Sequence, residues 1–176
     1  MHVLELIFYF FSIMDVLNLR LVSKLCNKIF KETWSSKNKI LNIQNCGRIT
    51  DKGSSYLSGV NTIDISNCYQ ITDKGLTYLT GVHTINLSLC DNITDKGLSC
   101  LTGVHTIHLC WCVQITDKGL SCLSGIHTID LYNCNNITDF GLSYLTGVHS
   151  IDLSRCFQIT DLGLSIFNWS EYYSAL

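Results

Sequence analysis

Residues 90–111 read CDNITDKGLSCLTGVHTIHLCW, and nearly the same 22 residues recur through most of the chain. Cys46, Cys68, Cys90, Cys112, Cys134 and Cys156 keep that constant interval. After each cysteine comes Ile-Thr-Asp, at Ile49–Asp51, Ile71–Asp73, Ile93–Asp95, Ile115–Asp117, Ile137–Asp139 and Ile159–Asp161. A glycine follows two residues later, at Gly53, Gly75, Gly97, Gly119, Gly141 and Gly163. A period of this length is the signature of an array in which each unit stacks on the next.

Each unit has room for one coil. The triplets Leu41-Asn42-Ile43, Ile63-Asp64-Ile65, Ile85-Asn86-Leu87, Ile107-His108-Leu109, Ile129-Asp130-Leu131 and Ile151-Asp152-Leu153 alternate apolar, polar, apolar. That alternation predicts short strands with one buried face, stacked in parallel. Thr-Asp then offers a hydroxyl and a carboxylate to cap a helix N-terminus, and Leu76 and Leu79 are spaced for a helix of about two turns. Gly81, Gly103, Gly125 and Gly147 are expected to end it in a left-handed C-terminal cap. So short a helix is unstable alone, so neighbouring coils must hold it. The expected fold is α/β: a solenoid of six 22-residue coils over residues 38–168.

The pattern Cys-x-x-Ile-Thr-Asp-x-Gly-Leu, followed by a Leu-x-Leu-like strand, resembles the cysteine-containing leucine-rich repeat. The first 35 residues break the period and read as two or three packed helices. Ser12 and Asp15 suit a capping-box-like start, and Leu17, Leu21 and Leu25 with Val22, Cys26 and Ile29 make one apolar stripe. Leu4, Ile7, Phe8 and Phe11 make another. The string Leu19-Arg20-Leu21-Val22-Ser23-Lys24, with Asp15 before it and Trp34 after, resembles the F-box, although the Leu-Pro pair that usually opens that motif is absent.

That resemblance implies helices that dock on the Skp-type adaptor of a cullin-based ubiquitin ligase, through Leu4, Ile7, Phe8, Leu17, Leu19, Leu21 and Val22. The repeats would then hold the protein to be ubiquitinated. In the plainer alternative the helices only cap the open end of a stand-alone interaction solenoid. Residues 169–176, with Trp169, Tyr172 and Tyr173, are expected to cap the other end.

Composition narrows the function classes. Of 176 residues, 47% are hydrophobic and 15% charged, and the formal net charge is −2, so no basic field exists to neutralise a nucleic-acid backbone. Val3 to Leu17 is apolar but carries Glu5 and Asp15, lacks a basic leader and is too short to span a bilayer, so no membrane partner is expected. Without an export signal the ten cysteines are expected in the reducing cytosol or nucleus.

Cys110-Trp111-Cys112, with Cys100 and Cys122 nearby, invites a zinc site. Thiols stacked one strand apart, about 4.8 Å, do not converge tetrahedrally, and no Cys-x-x-Cys pair is present. They are read as buried structural thiols, with no metal and no cofactor. His83, His105, His127 and His149 form a second column, either an ordinary exposed ladder or one whose rings repel when protonated. Lys52, Lys74, Lys96 and Lys118 read as a solvated convex face. Serine and histidine recur only by period, so no singular nucleophile, base and acid mark a catalytic site, and no enzyme is expected.

The varying positions carry the specificity. The strand and its exit read Asn42, Gln44, Asn45; Asp64, Ser66, Asn67; Asn86, Ser88, Leu89; His108, Cys110, Trp111; Asp130, Tyr132, Asn133; Asp152, Ser154, Arg155. These polar strand residues are expected on the concave side. His108, Cys110, Trp111, Tyr132 and Arg155 are the expected partner-binding residues. Trp, Tyr and Arg dominate binding hot spots, and successive coils would align them in a patch roughly 10–15 Å long. Together with the resemblance to the F-box, which implies the ligase role, the chain is expected to be the substrate-recognition subunit of a Skp-cullin-F-box ligase.

Overall fold

A computed structural model describes residues 40–47 and 49–167. The expected helical segment 1–35, with Leu4, Ile7, Phe8, Leu17, Leu19, Leu21 and Val22, and the expected cap 169–176 lie outside the described residues.

Among the described residues six strands, β1 (Ile40–Asn42), β2 (Thr62–Asp64), β3 (Thr84–Asn86), β4 (Thr106–His108), β5 (Thr128–Asp130) and β6 (Ser150–Asp152), form one parallel sheet in chain order. Every pairing is offset by one repeat, as in Ile85↔Ile107 and His108↔Asp130. The strands begin and end one residue earlier than the alternation suggests. Pairing nonetheless runs past them, since Ile43 N–H donates to Asp64 O and Asn45 N–H to Ser66 O, both at 2.8 Å. The apolar residue beyond each strand is thus held like a strand residue, although the regular ladder has ended.

After each strand comes one α-helical turn: α1 (Asp51–Ser54), α2 (Asp73–Leu76), α3 (Asp95–Leu98), α4 (Asp117–Leu120), α5 (Asp139–Leu142) and α6 (Asp161–Leu164). In four coils the second expected turn tightens to a 3-10 turn, as at Ser99–Leu101. Three residues per turn still bring Leu98 and Leu101 to the same side, and both are buried. The core is a set of ladders along the stack, such as Ile63, Ile85, Ile107 and Ile129 on the strands and Ile71, Ile93, Ile115 and Ile137 before the helices.

Two expected roles change. Thr72, Thr94, Thr116, Thr138 and Thr160 do cap their helices, each accepting from the backbone N–H two residues on. The aspartate, however, serves the following coil instead of its own helix: Asp51 Oδ1 accepts from Thr72 N–H at 2.8 Å and Oδ2 from Thr72 Oγ1 at 2.7 Å. The same double bond links Asp73 to Thr94, Asp95 to Thr116, Asp117 to Thr138 and Asp139 to Thr160. From the second coil on, the repeat glycine makes room for the preceding coil's carboxylate: a Cβ on Gly75 would stand 2.7 Å from Asp51 Oδ1.

Gly103 also differs from its expected role. Its φ is +80°, as a left-handed cap requires, but Thr102 before it is extended at φ −56°, ψ 133°. Val104 N–H closes the loop onto Leu101 O at 3.1 Å. These are the marks of a type II turn, whose third position favours glycine. It aims the chain from the 3-10 turn back into the sheet.

Candidate functional site

The outward face of the sheet carries the varying side chains. In five coils the polar strand residue is Asn or Asp, and its Oδ1 accepts the backbone N–H two residues on: Asn42 from Gln44, Asp64 from Ser66, Asn86 from Ser88, Asp130 from Tyr132 and Asp152 from Ser154. His108 takes this place in the fourth coil. Its Nδ1 stands 3.6 Å from Oδ2 of Asp130, its partner on the next strand.

Three residues past that position the backbone turns left-handed in every coil: Asn45, Asn67, Leu89, Trp111, Asn133 and Arg155 have φ between 56° and 63°. Asparagine tolerates this conformation because its short amide satisfies nearby backbone. Asn67 Nδ2 also donates to Asn45 Oδ1 at 2.8 Å, extending the stacking between coils. Leu89, Trp111 and Arg155 depart from that solution and hold a bulky side chain in a conformation that costs on the order of 1–3 kcal/mol.

The expected patch assembles as a row. The Trp111 and Tyr132 rings lie 6.3 Å apart at a 48° tilt, and the Arg155 guanidinium sits 5.5 Å from the Tyr132 centroid. Trp111 remains 41% exposed, enough for a partner to cover. Cys110 is half-buried between these residues. Burial first, then the carboxylates of Asp130 and Asp152, pushes its thiol pKa up. Asp130 and Asp152 stand among the varying positions but outside the expected partner-binding set, and nothing in the strand alternation announces the left-handed backbone. Its available signal was the asparagine at the matching position of coils one, two and five.

Of the periodic cysteines, Cys46 in the first coil is half-buried and the other five are buried. Each of Cys68, Cys90, Cys112, Cys134 and Cys156 donates its thiol to a carbonyl in the coil before, as Cys112 Sγ does to Leu87 O at 3.1 Å. Burial pushes Cys68 and Cys134 up to about 12 and Cys90 to about 11. Burial and a raised pKa both disfavour the thiolate that nucleophilic attack needs. Among the described residues no group of three or more His, Cys, Asp or Glu is placed to hold a metal ion. No described helix is long and apolar enough to cross a membrane.

His83, His105, His127 and His149 stack face to face, with successive centroids 4.5, 4.4 and 4.6 Å apart, and all are exposed. Lys52, Lys74, Lys96 and Lys118 are exposed on the helix side. That column turns apolar in the last two coils, where Phe140 and Leu162 are 64% and 76% exposed. The change is visible in the sequence only as Phe140 and Leu162 standing where the other coils have lysine.

Residues 1–37 match the family described as F-box domain, and residues 82–101 match that described as Leucine Rich repeat. No curated protein sequence matches the chain. The structure is similar to one solved as the crystal structure of the Rad7 and Elc1 complex in yeast, with a TM-score of 0.54 and 16% identity. The likeness covers 66% of this chain and 35% of that one, so this chain spans about a third of that relative's length. At this identity the similarity is one of fold.

Proposed function

The chain carries an F-box domain ahead of a leucine-rich-repeat solenoid, and from that pairing we propose that it is the substrate-recognition subunit of a Skp-cullin-F-box ubiquitin ligase. Residues 1–35 bind the adaptor, with Leu4, Ile7, Phe8, Leu17, Leu19, Leu21 and Val22 as contacts. The strand face of the repeats holds the target. The receptor itself performs no chemistry: it raises the local concentration of target lysines near the ligase.

The observation that carries the target-binding half is the Trp111–Tyr132–Arg155 row. The fold has no need of these side chains where they stand, since asparagine fills the Trp111 position in three other coils. The adaptor-binding half rests on the F-box match. Pull-down of a recombinant Skp-type adaptor by the full chain tests it. Capture is expected for the wild type and loss for Val22→Asp, with the far-ultraviolet spectrum unchanged as the folding control. Equal capture by a folded Val22→Asp chain contradicts the adaptor assignment. It would favour the stand-alone solenoid, in which residues 1–35 are only a cap. The site of action in this reading is the cytosol or nucleus, where such ligases meet their targets.

A further inference from the structure

We infer that the strand face of the last three coils takes a basic, extended segment of the target, with a lysine or arginine lying on Trp111 and its charge beside Asp130 and Asp152. This rests on the strand face being the target-binding surface and adds the chemistry of what binds there.

Asp130 and Asp152 are direct partners across β5 and β6, and like charges placed opposite one another disfavour the pairing. The coil does not require them. It needs an acceptor for the N–H two residues on, and Asn42 and Asn86 supply one without charge. Asp64 adds a third such carboxylate on β2.

Little among the described residues neutralises them. Among the described residues the four lysines lie on the helix side, and Arg155 is the remaining arginine or lysine. The Arg155 guanidinium sits over Tyr132, and Asp152 has no ion pair among the described residues. His108 faces Asp130 at 3.6 Å and offsets its charge only when protonated.

The aromatic row supplies the second half of the fit. Arg155 on Tyr132 is an intramolecular instance of the contact, a cation held on a ring of this face. Trp111, the stronger cation–π surface, packs beside Tyr132 and keeps 41% of its surface exposed. A basic segment would cover it while relieving the Asp130–Asp152 repulsion. Among the described residues of this face, an acidic segment would find Arg155 as its one permanent positive charge.

The test is selection of binders from a random decapeptide display library on the immobilised full chain. Selected peptides should be rich in arginine or lysine and should weaken as salt rises. They should bind an Asp130→Asn/Asp152→Asn chain and a Trp111→Ala chain about tenfold or more weakly. The asparagine pair keeps both acceptors, so folding is preserved. Acidic or uncharged selected peptides, basic peptides that bind the asparagine variant as well as wild type, or no selected peptides would overturn the inference. If Trp111→Ala still abolishes target capture in any of those cases, the strand face stands as the recognition surface and only the basic occupant is wrong.

Discussion

Asp95 holds Thr116 of the following coil at two points, with Oδ1 on its backbone N–H at 2.8 Å and Oδ2 on its hydroxyl at 2.6 Å. The hydroxyl is then free to accept from Lys118 N–H at 3.3 Å, so one carboxylate both links two coils and steadies the next helix cap. Charge-assisted bonds of this kind contribute roughly 1.5–3 kcal/mol each. Asp95→Ala should therefore lower stability by about 3 kcal/mol in urea unfolding, with Asp95→Asn intermediate. A loss below about 1 kcal/mol for the alanine would mean that the apolar ladders alone hold the coils together.

The thiols give a second test. Denatured chain should show ten free thiols, while in the native chain Cys68, Cys90, Cys112, Cys134 and Cys156 should resist alkylation at pH 8. Their hydrogen bonds to the preceding coil and their raised pKa values are the reasons. Stoichiometric zinc in the purified protein, or fewer than ten thiols without reductant, contradicts this account.

A third concerns mild acid. Partial desolvation first, then the neighbouring His127 and His83 rings, hold His105 below the ordinary value of 6.5. A histidine depressed in the folded state binds its proton more readily when unfolded. Its contribution to stability is therefore present above pH 6.5 and is lost as pH falls through that value toward the folded pKa. Ring-proton titration by NMR should place the His105 midpoint below 6.5, and His105→Asn should flatten the stability profile in that window. Asn61 already fills the matching place in the second coil, so the substitution suits the fold. A midpoint at or above 6.5 would mean that the stacked rings do not oppose one another's protonation.

The left-handed position yields a prediction that separates stability from binding. Trp111→Asn replaces a strained bulky residue with the one that coils one, two and five use. It gives up the ring contact with Tyr132, worth about 0.5–1.5 kcal/mol, and relieves strain of similar size. Unfolding stability should stay within about 1 kcal/mol of wild type while target affinity falls by about 2 kcal/mol or more. A large loss of stability with binding intact would make Trp111 a structural residue.

The fold was legible because its logic is periodic. Cysteine, Ile-Thr-Asp and glycine at one interval can mean little other than identical coils stacked in register. The aspartate's partner was not legible, because Asp95 and Thr116 are 21 residues apart and meet only once a coil has closed. Strand bounds shifted by a residue because the alternating pattern continues past the regular ladder at Ile43 and its equivalents. Of the candidate site, the aromatic row could be read from the varying columns. The pairing of His108 with Asp130 and the left-handed turn under Trp111 depend on backbone geometry that no single coil's sequence displays.

The central claim is a chain with two separable functions, and capture from cells of the full chain followed by mass spectrometry tests it most directly. Val22→Asp should lose the Skp-type adaptor and the cullin yet retain the target. Trp111→Ala should lose the target yet retain adaptor and cullin, and Phe140→Lys, which restores the helix-side lysine, should keep all three. Capture that is unchanged in both of the first two variants, or target loss on Phe140→Lys with full retention on Trp111→Ala, would contradict the account.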